Sequence, residues 1–461
     1  MSVEYACIVP HPPLIIPAVG RGEEKKIKPT IDAYEYVARR ISEIKPDTIV
    51  LASPHSVMYA DYIHISPGKS ARGDMGRFGA PQTSVQKEYD TELVSVLSEL
   101  AFESNVKAGT LGEKDPSLDH GTLVPLYFIE QQYQDYQMVR VSLSGQPLIE
   151  HYRFGELIAR AAKRLHRRIV FVASGDLSHK LAEDGPYGFA PEGPLFDKQV
   201  VDAMRSGDFM EFLRFGEAFC EAAGECGLRS FIEMAGVLDG RKVTPDFRSY
   251  EGPFGVGYAV CGFEMGGVDE SRRFRRQYEN ERAEKLAAAK AGEDAYVRLA
   301  RLSLETYVKT GKHAAMPDGL PDDMTGRRAG VFVSLKKDGR LRGCIGTISP
   351  TAESIAAEIL TNAVSAGTGD PRFDPVEEDE LDELVYSVDV LGDAEPIQSM
   401  DELDAKRYGV IVNKGHRRGL LLPNLEGVDT PEQQVDIALQ KAGIRRNESY
   451  TMERFEVVRH K

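Results

Sequence analysis

The sequence predicts an α/β domain, a central sheet covered by helices, followed by a smaller α+β domain. Three observations carry this reading. Over the first 265 residues, short apolar runs rich in β-formers alternate with longer amphipathic stretches. A charged stretch poor in large apolar residues interrupts the pattern at 266–292. A strongly amphipathic segment then opens a second unit, 293–461, within a chain of 461 residues that has room for two or three domains.

In chain order, strands are expected at 5–10 (YACIVP), 47–53 (DTIVLAS), 137–143 (QMVRVSL), 168–174 (RIVFVAS) and 254–263 (FGVGYAVCGF). Their Val, Ile and aromatic content suits a pleated, buried surface. Between them, 30–44, 90–103 and 151–167 repeat apolar residues at helical spacing. The Arg-, Glu-, Lys- and Ala-rich 266–292 reads as a solvated helical linker. Beyond it come a helix at 294–308 and a hairpin in VFVSLKKDGRLRGCIGTI around a Lys-Asp-Gly turn. A helix at 351–366 and strands at 384–391 and 408–413 follow.

Composition narrows the class. Hydrophobic residues make up 42% and charged residues 28%, enough for a large core and a well-solvated surface. A net charge of -15 repels phosphate backbones, so a nucleic-acid partner is not expected. The five cysteines are odd in number and lack CxxC spacing, which fits a reducing compartment. The N-terminal MSVEYACIVPHPP has no signal-peptide pattern, and no apolar run has the length of a membrane helix. A soluble, cytoplasmic protein without a membrane partner is expected.

The histidines carry the chemistry. His11, His55 and His179 each fall just past a candidate strand, and His120 sits at a loop-to-apolar junction. Ligands of open α/β sheets bind in the crevice beyond such strand ends. One histidine there is usually a turn residue, whereas three make a metal site the better explanation. His64, His151, His166, His313, His416 and His460 lack this context and are expected at the surface. Two imidazoles with one carboxylate suit Fe(II) with open positions, while histidines alone would suit zinc equally. The carboxylate is sought in EAAGECGLRS (221–230), where Glu225 precedes Cys226, with Asp176 in SGDLSH as competitor.

HPPLIIP, ASPHS, LDHGTLVPL, SGDLSH and GECGLRS occur in the order shown by the class III extradiol ring-cleavage dioxygenases, and residues 1–265 resemble that family. The resemblance implies that His11 and His55 ligate non-haem Fe(II) and that Glu225 is the third ligand. Memo-like relatives of the same fold carry a cysteine there, which makes Cys226 the alternative. His179 resembles the family's acid/base and His120 a substrate-pocket histidine. A catecholic or related phenolic substrate and dioxygen are implied, with self-association into a homo-oligomer.

In the second domain, Arg342 and Cys344 of LRGCIGT form a candidate site. An arginine beside a thiol can favour the thiolate, yet a small cysteine in a hairpin needs no reactivity. LRGCIGT, GDPRFDPV, YSVDVL, RRGLLLP and IALQKAGI resemble the AMMECR-type domain, in order, over about 293–458. The fusion is similar to the AmmeMemoRadiSam system architecture, which implies a radical S-adenosylmethionine protein as partner. The leading expectation is an Fe(II)-dependent oxidoreductase. Its rivals are a Memo-like metal protein acting with that partner without ring cleavage, and a C-terminal domain serving as a non-enzymatic adaptor.

Overall fold

The computed structural model describes residues 2–461 apart from 115 and 426. The chain divides into two compact units, Met1–Asn280 and Glu281–Lys461.

The first unit is built on a six-stranded sheet. Its strands are β1 (Val3–Val9), β2 (Thr48–Ser53), β3 (Gln137–Ser142), β4 (Ile169–Ser174), β5 (Arg241–Glu251) and β6 (Tyr258–Val268), in the order β3-β2-β4-β1-β6-β5. The first four in that order run parallel, and β6 and β5 close one edge antiparallel. Residues of β2 and β4 are buried throughout, as expected of parallel strands covered on both faces.

Side-chain alternation divides the sheet's residues between two cores. Cys7, Val9, Leu51 and Val172 pack with Tyr34, Val37 and Ile41 of helix α1 (Lys28–Ile44). Ala6, Ile8, Val50 and Phe171 pack on the other face. Helix α2 (Thr91–Glu103) contributes there, as do α4 (Leu148–Arg164), α5 (Glu192–Ser206) and α6 (Leu228–Val237). Helix α3 (His120–Glu130) packs with the first core. The expected strands and helices are therefore present, with ends displaced by a few residues.

Several elements were not anticipated, among them helices α3 and α5 and two polar sheet elements. Strand β5, RKVTPDFRSYE, is a polar edge strand whose apolar alternation is too weak to read. The hairpin Ser70–Met75 with Ala80–Glu88 is similarly polar. The start of the expected linker also belongs to the sheet, since β6 runs on to Val268, which pairs with Arg241. The rest of that stretch holds helix α7 (Phe274–Gly292), and the boundary between the units falls inside this helix.

The second unit contains two four-stranded sheets. Helix α8 (Ala295–Thr310) leads to β7 (Val331–Lys337), β8 (Arg340–Gly346), α9 (Ile355–Thr368) and β9 (Val385–Leu391). Strands β10 (Glu395–Ile397), β11 (Gly409–Lys414) and β12 (Arg417–Leu421) are followed by α10 (Pro431–Ala442), β13 (Thr451–Phe455) and β14 (Val457–His460). The sheet orders are β8-β7-β9-β14 and β10-β13-β11-β12. The Lys-Asp-Gly turn forms as expected, with positive φ at both Asp338 and Gly339.

Candidate metal centre

The parallel strands β2, β4 and β1 are neighbours, so their carboxyl ends open on one crevice. His11 lies two residues beyond β1 and His55 two beyond β2. The backbone around His11 is held on both sides. Its N–H donates to Asp176 Oδ1 at 2.8 Å, and the Tyr34 hydroxyl donates to the Pro10 carbonyl. The proline-rich PHPP stretch stiffens the turn further.

The third contribution comes from the loop before α6. Gly175 and Gly227 bring this loop against the end of β4 in backbone contact. A Cβ on Gly175 would stand 2.2 Å from the Cα of Gly227, closer than any side chain permits. The loop then delivers Cys226. One ligand atom each from His11, His55 and Cys226 lies within 4.8 Å of the others. The two Nε2 atoms are 3.0 Å apart, and Cys226 Sγ is 3.6 Å from His11 Nε2.

Hydrogen bonding fixes the tautomers. Ser174 Oγ donates its only proton to the Gly121 carbonyl at 2.6 Å, so it can only accept from His11 Nδ1 at 3.0 Å. His11 therefore carries its proton on Nδ1 and presents a bare Nε2 lone pair to the crevice. His55 Nε2–H donates to that lone pair at 3.0 Å. A metal taking both nitrogens would move the His55 proton to its Nδ1. This arrangement of an Nδ1–H held from behind is the one that ligating histidines require.

Glu225 is not brought to this centre. Its carboxylate accepts the Leu228 N–H at 2.7 Å, capping the first turn of α6, and it lines a separate small pocket with Glu221 and Arg229. The cap takes the glutamate, and Cys226 turns into the crevice. Asp176 does lie close. Its Oδ2 is 3.8 Å from His11 Nε2, and burial pushes its carboxyl up to about 7. A pair of imidazoles with a thiol, one imidazole oriented by a hydroxyl, fits a transition metal by donor chemistry.

His120 heads α3, whose first turn is capped by Asp119. Ser53 Oγ donates to Asp119 Oδ1 at 2.5 Å and so ties the end of β2 to this helix. The His120 ring stacks on His55 with centroids 4.1 Å apart and stands 5.4 Å from His11. His179 lies against Tyr187 at 5.1 Å and is close enough to His55 to couple with it electrostatically. Burial lowers both His120 and His179 to about 4, so both are neutral at physiological pH.

A cavity of about 600 Å³ opens beside His55 and His120. The unanticipated hairpin lines it with Arg72, Arg77 and Phe78. The Arg72 and Arg77 guanidiniums have no carboxylate partner among the described residues, whereas Arg140 approaches Asp119 at 3.7 Å. Sequence reasoning missed both arginines because it missed their hairpin. A Gly76–Gly79 turn between polar runs was the available signal.

Residues 5–261 match the family described as the catalytic LigB subunit of aromatic ring-opening dioxygenase. The chain belongs to this LigB family. Residues 297–460 match the AMMECR1 family, so the LigB-type domain is fused to an AMMECR1 domain. A protein of Clostridium acetobutylicum is 44% identical over 469 residues, spanning 100% of both chains. A protein of Thermotoga maritima is 52% identical over 172 residues, 37% of this chain and 99% of its own length. Among solved structures, an uncharacterized protein of Pyrococcus horikoshii is 34% identical over 36% of this chain and 89% of its own, with a TM-score of 0.34.

Two histidines expected at the surface of the LigB-type domain are buried. His64 is enclosed in a short strand, and His151 is paired with Glu233 at 2.9 Å, both side chains fully buried. In the AMMECR1 domain, Arg342 and Cys344 do not share a site. The register shifts by one residue between Leu335 and Lys336, leaving Arg342 opposite no partner on β7. Its guanidinium is held by Glu380 at 2.7 Å, whereas Cys344 lines a separate cleft. No helix among the described residues is long and apolar enough to cross a membrane.

Proposed function

We propose that the LigB-type domain is a metal-dependent oxidoreductase whose redox-active transition metal, iron or copper, is held by His11, His55 and Cys226. The observation that carries this reading is the placement of Cys226, with Glu225 committed to the helix cap. A metal held there supplies electron transfer to or from a bound substrate. The chain's own residues do the rest. Arg72 and Arg77 hold an anionic or phenolic small molecule at the mouth of the cavity, and Phe78 packs on it. Neutral His179 and His120 each enter the reaction able to take a proton from a substrate hydroxyl.

Metal analysis of anaerobically purified protein tests this. About one equivalent is expected in wild type and in Glu225→Gln, with loss in His11→Ala, His55→Ala and Cys226→Ala. Retention in Cys226→Ala with loss in Glu225→Gln would overturn the ligand set. Oxygen uptake across a panel of catechols then tests the ring-cleaving branch of the family.

One observation favours a second reading. Asp176 offers a buried carboxylate 3.8 Å from His11 Nε2, which with two histidines would make the Fe(II) triad of an extradiol dioxygenase. Loss of iron in Asp176→Asn but not Cys226→Ala, with catechol-dependent oxygen uptake in wild type, selects it. A radical S-adenosylmethionine protein completes the proposal as partner, checked by whether it co-purifies with the full chain.

A further inference from the structure

The AMMECR1 domain contains a cleft of about 1090 Å³ that the metal chemistry does not use. Strand alternation builds one wall. Val331, Val333 and Leu335 of β7 point into the domain core, which leaves Phe332, Ser334 and Lys336 on the opposite face. Cys344 of β8 and Ser387 of β9 pair directly with Ser334 from either side. Cys344, Ser334 and Ser387 therefore form a row across three strands. The Ser334 hydroxyl donates to Cys344 Sγ at 3.2 Å. Leu420 and Leu422 supply an apolar wall. Along the same cleft, Leu341 and Val385 are each 38% exposed, so aliphatic surface is left open to water.

Arg372, Arg459 and Lys441 line the cleft together with Cys344. Two are neutralised where they stand, Arg372 by Asp370 at 2.6 Å and Arg459 by Asp389 at 2.7 Å. The Lys441 ammonium has no carboxylate partner among the described residues. The cleft thus combines uncompensated ammonium groups at Lys441 and Lys336, a row of small hydrogen-bonding groups and uncovered aliphatic surface. Water satisfies only the first two.

We infer that this cleft binds an amphipathic carboxylate, its apolar body against Phe332, Leu341, Leu420 and Leu422 and its head group at Lys441 beside Cys344. Burying the aliphatic body supplies affinity at roughly 25 cal/mol per Å² of apolar surface removed from water, and the ammonium selects the anion.

Equilibrium dialysis of radiolabelled octanoate against the full chain tests the inference, with octanol as the neutral control. Saturable binding of about one equivalent is expected, with octanol at least tenfold weaker. Lys441→Glu should weaken octanoate at least tenfold, and Ser334→Phe should abolish binding by filling the cleft. Circular dichroism checks both variants. Lys441 is at the surface, so its variant reports even if Ser334→Phe misfolds. Absence of saturable octanoate binding overturns the inference. So does binding that survives Lys441→Glu unchanged, or octanol binding as tightly as octanoate.

Discussion

A thiol and two neutral imidazoles make a metal site whose affinity must depend on pH. Burial pushes the Cys226 thiol above its usual range, while burial and neighbouring imidazoles hold His11 well below its own. The histidines then need no deprotonation near neutrality, and the thiol releases one proton on binding. Metal affinity is expected to rise about tenfold per pH unit between pH 6 and 8. Competition with a chelator across that range measures the slope, and Cys226→Ala should flatten it. Ser174→Ala, which removes the group holding His11 Nδ1–H, should weaken metal binding about 10- to 100-fold with the fold intact. Away from the metal, burial pushes Asp197 up to about 6 against an ordinary value near 3.8, and its partners are Ser178 N–H and the Tyr250 hydroxyl. A carboxyl that holds its proton more tightly when folded stabilises below its unfolded value and loses that contribution as pH rises through 6. The stability difference between wild type and Asp197→Asn should therefore shift against wild type by about 3 kcal/mol from pH 3.5 to pH 7. Chemical denaturation at several pH values reads it. At this scale the sequence was informative about His11 and His55, because each follows a buried strand. It could not choose between Glu225 and Cys226, since neighbours in a loop differ only in which way the backbone turns them.

Elements decide that turn. Helix α6 is placed by the Gly175–Gly227 contact at one end and by the His151–Glu233 pair with α4 further along. Gly175→Ala should push the Cys226 loop off β4, destabilising the domain by about 1–3 kcal/mol and lowering metal content. His151→Ala, which strands the Glu233 carboxyl in the core, should cost about 1–3 kcal/mol while leaving metal content near wild type, because the pair sits away from the ligand loop. Thermal melts with metal analysis separate the two effects. The legible elements were those with strong periodicity: the buried runs of β1, β2 and β4, and the amphipathic α1 and α4. Strand β5 and the hairpin carrying Arg72 and Arg77 were not legible. Their polar faces alternate with few apolar residues, and pairing with a neighbour rather than their own composition makes them strands. Of the histidines expected at the surface, His151 departs for the converse reason: it is buried because Glu233, 82 residues away, supplies its partner.

At the scale of the molecule, each unit has its own apolar cores, two in the first and three in the second among the described residues. Residues 1–280 expressed alone should fold and retain metal, and calorimetry of the full chain should resolve two transitions. Only the first should shift upward with added metal. The residues that converge on the centre are far apart in the chain, His11 and His55 by 44 positions and His11 and Cys226 by 215. An ion held among them would clasp shut nearly the whole length of the first unit. By mass action it would add about 2.7 kcal/mol to that unit's stability when free metal stands a hundredfold above its dissociation constant. Scarcity of the ion would then be felt first as faster proteolytic turnover of this unit. The protein's abundance, as well as its activity, would become a gauge of metal supply.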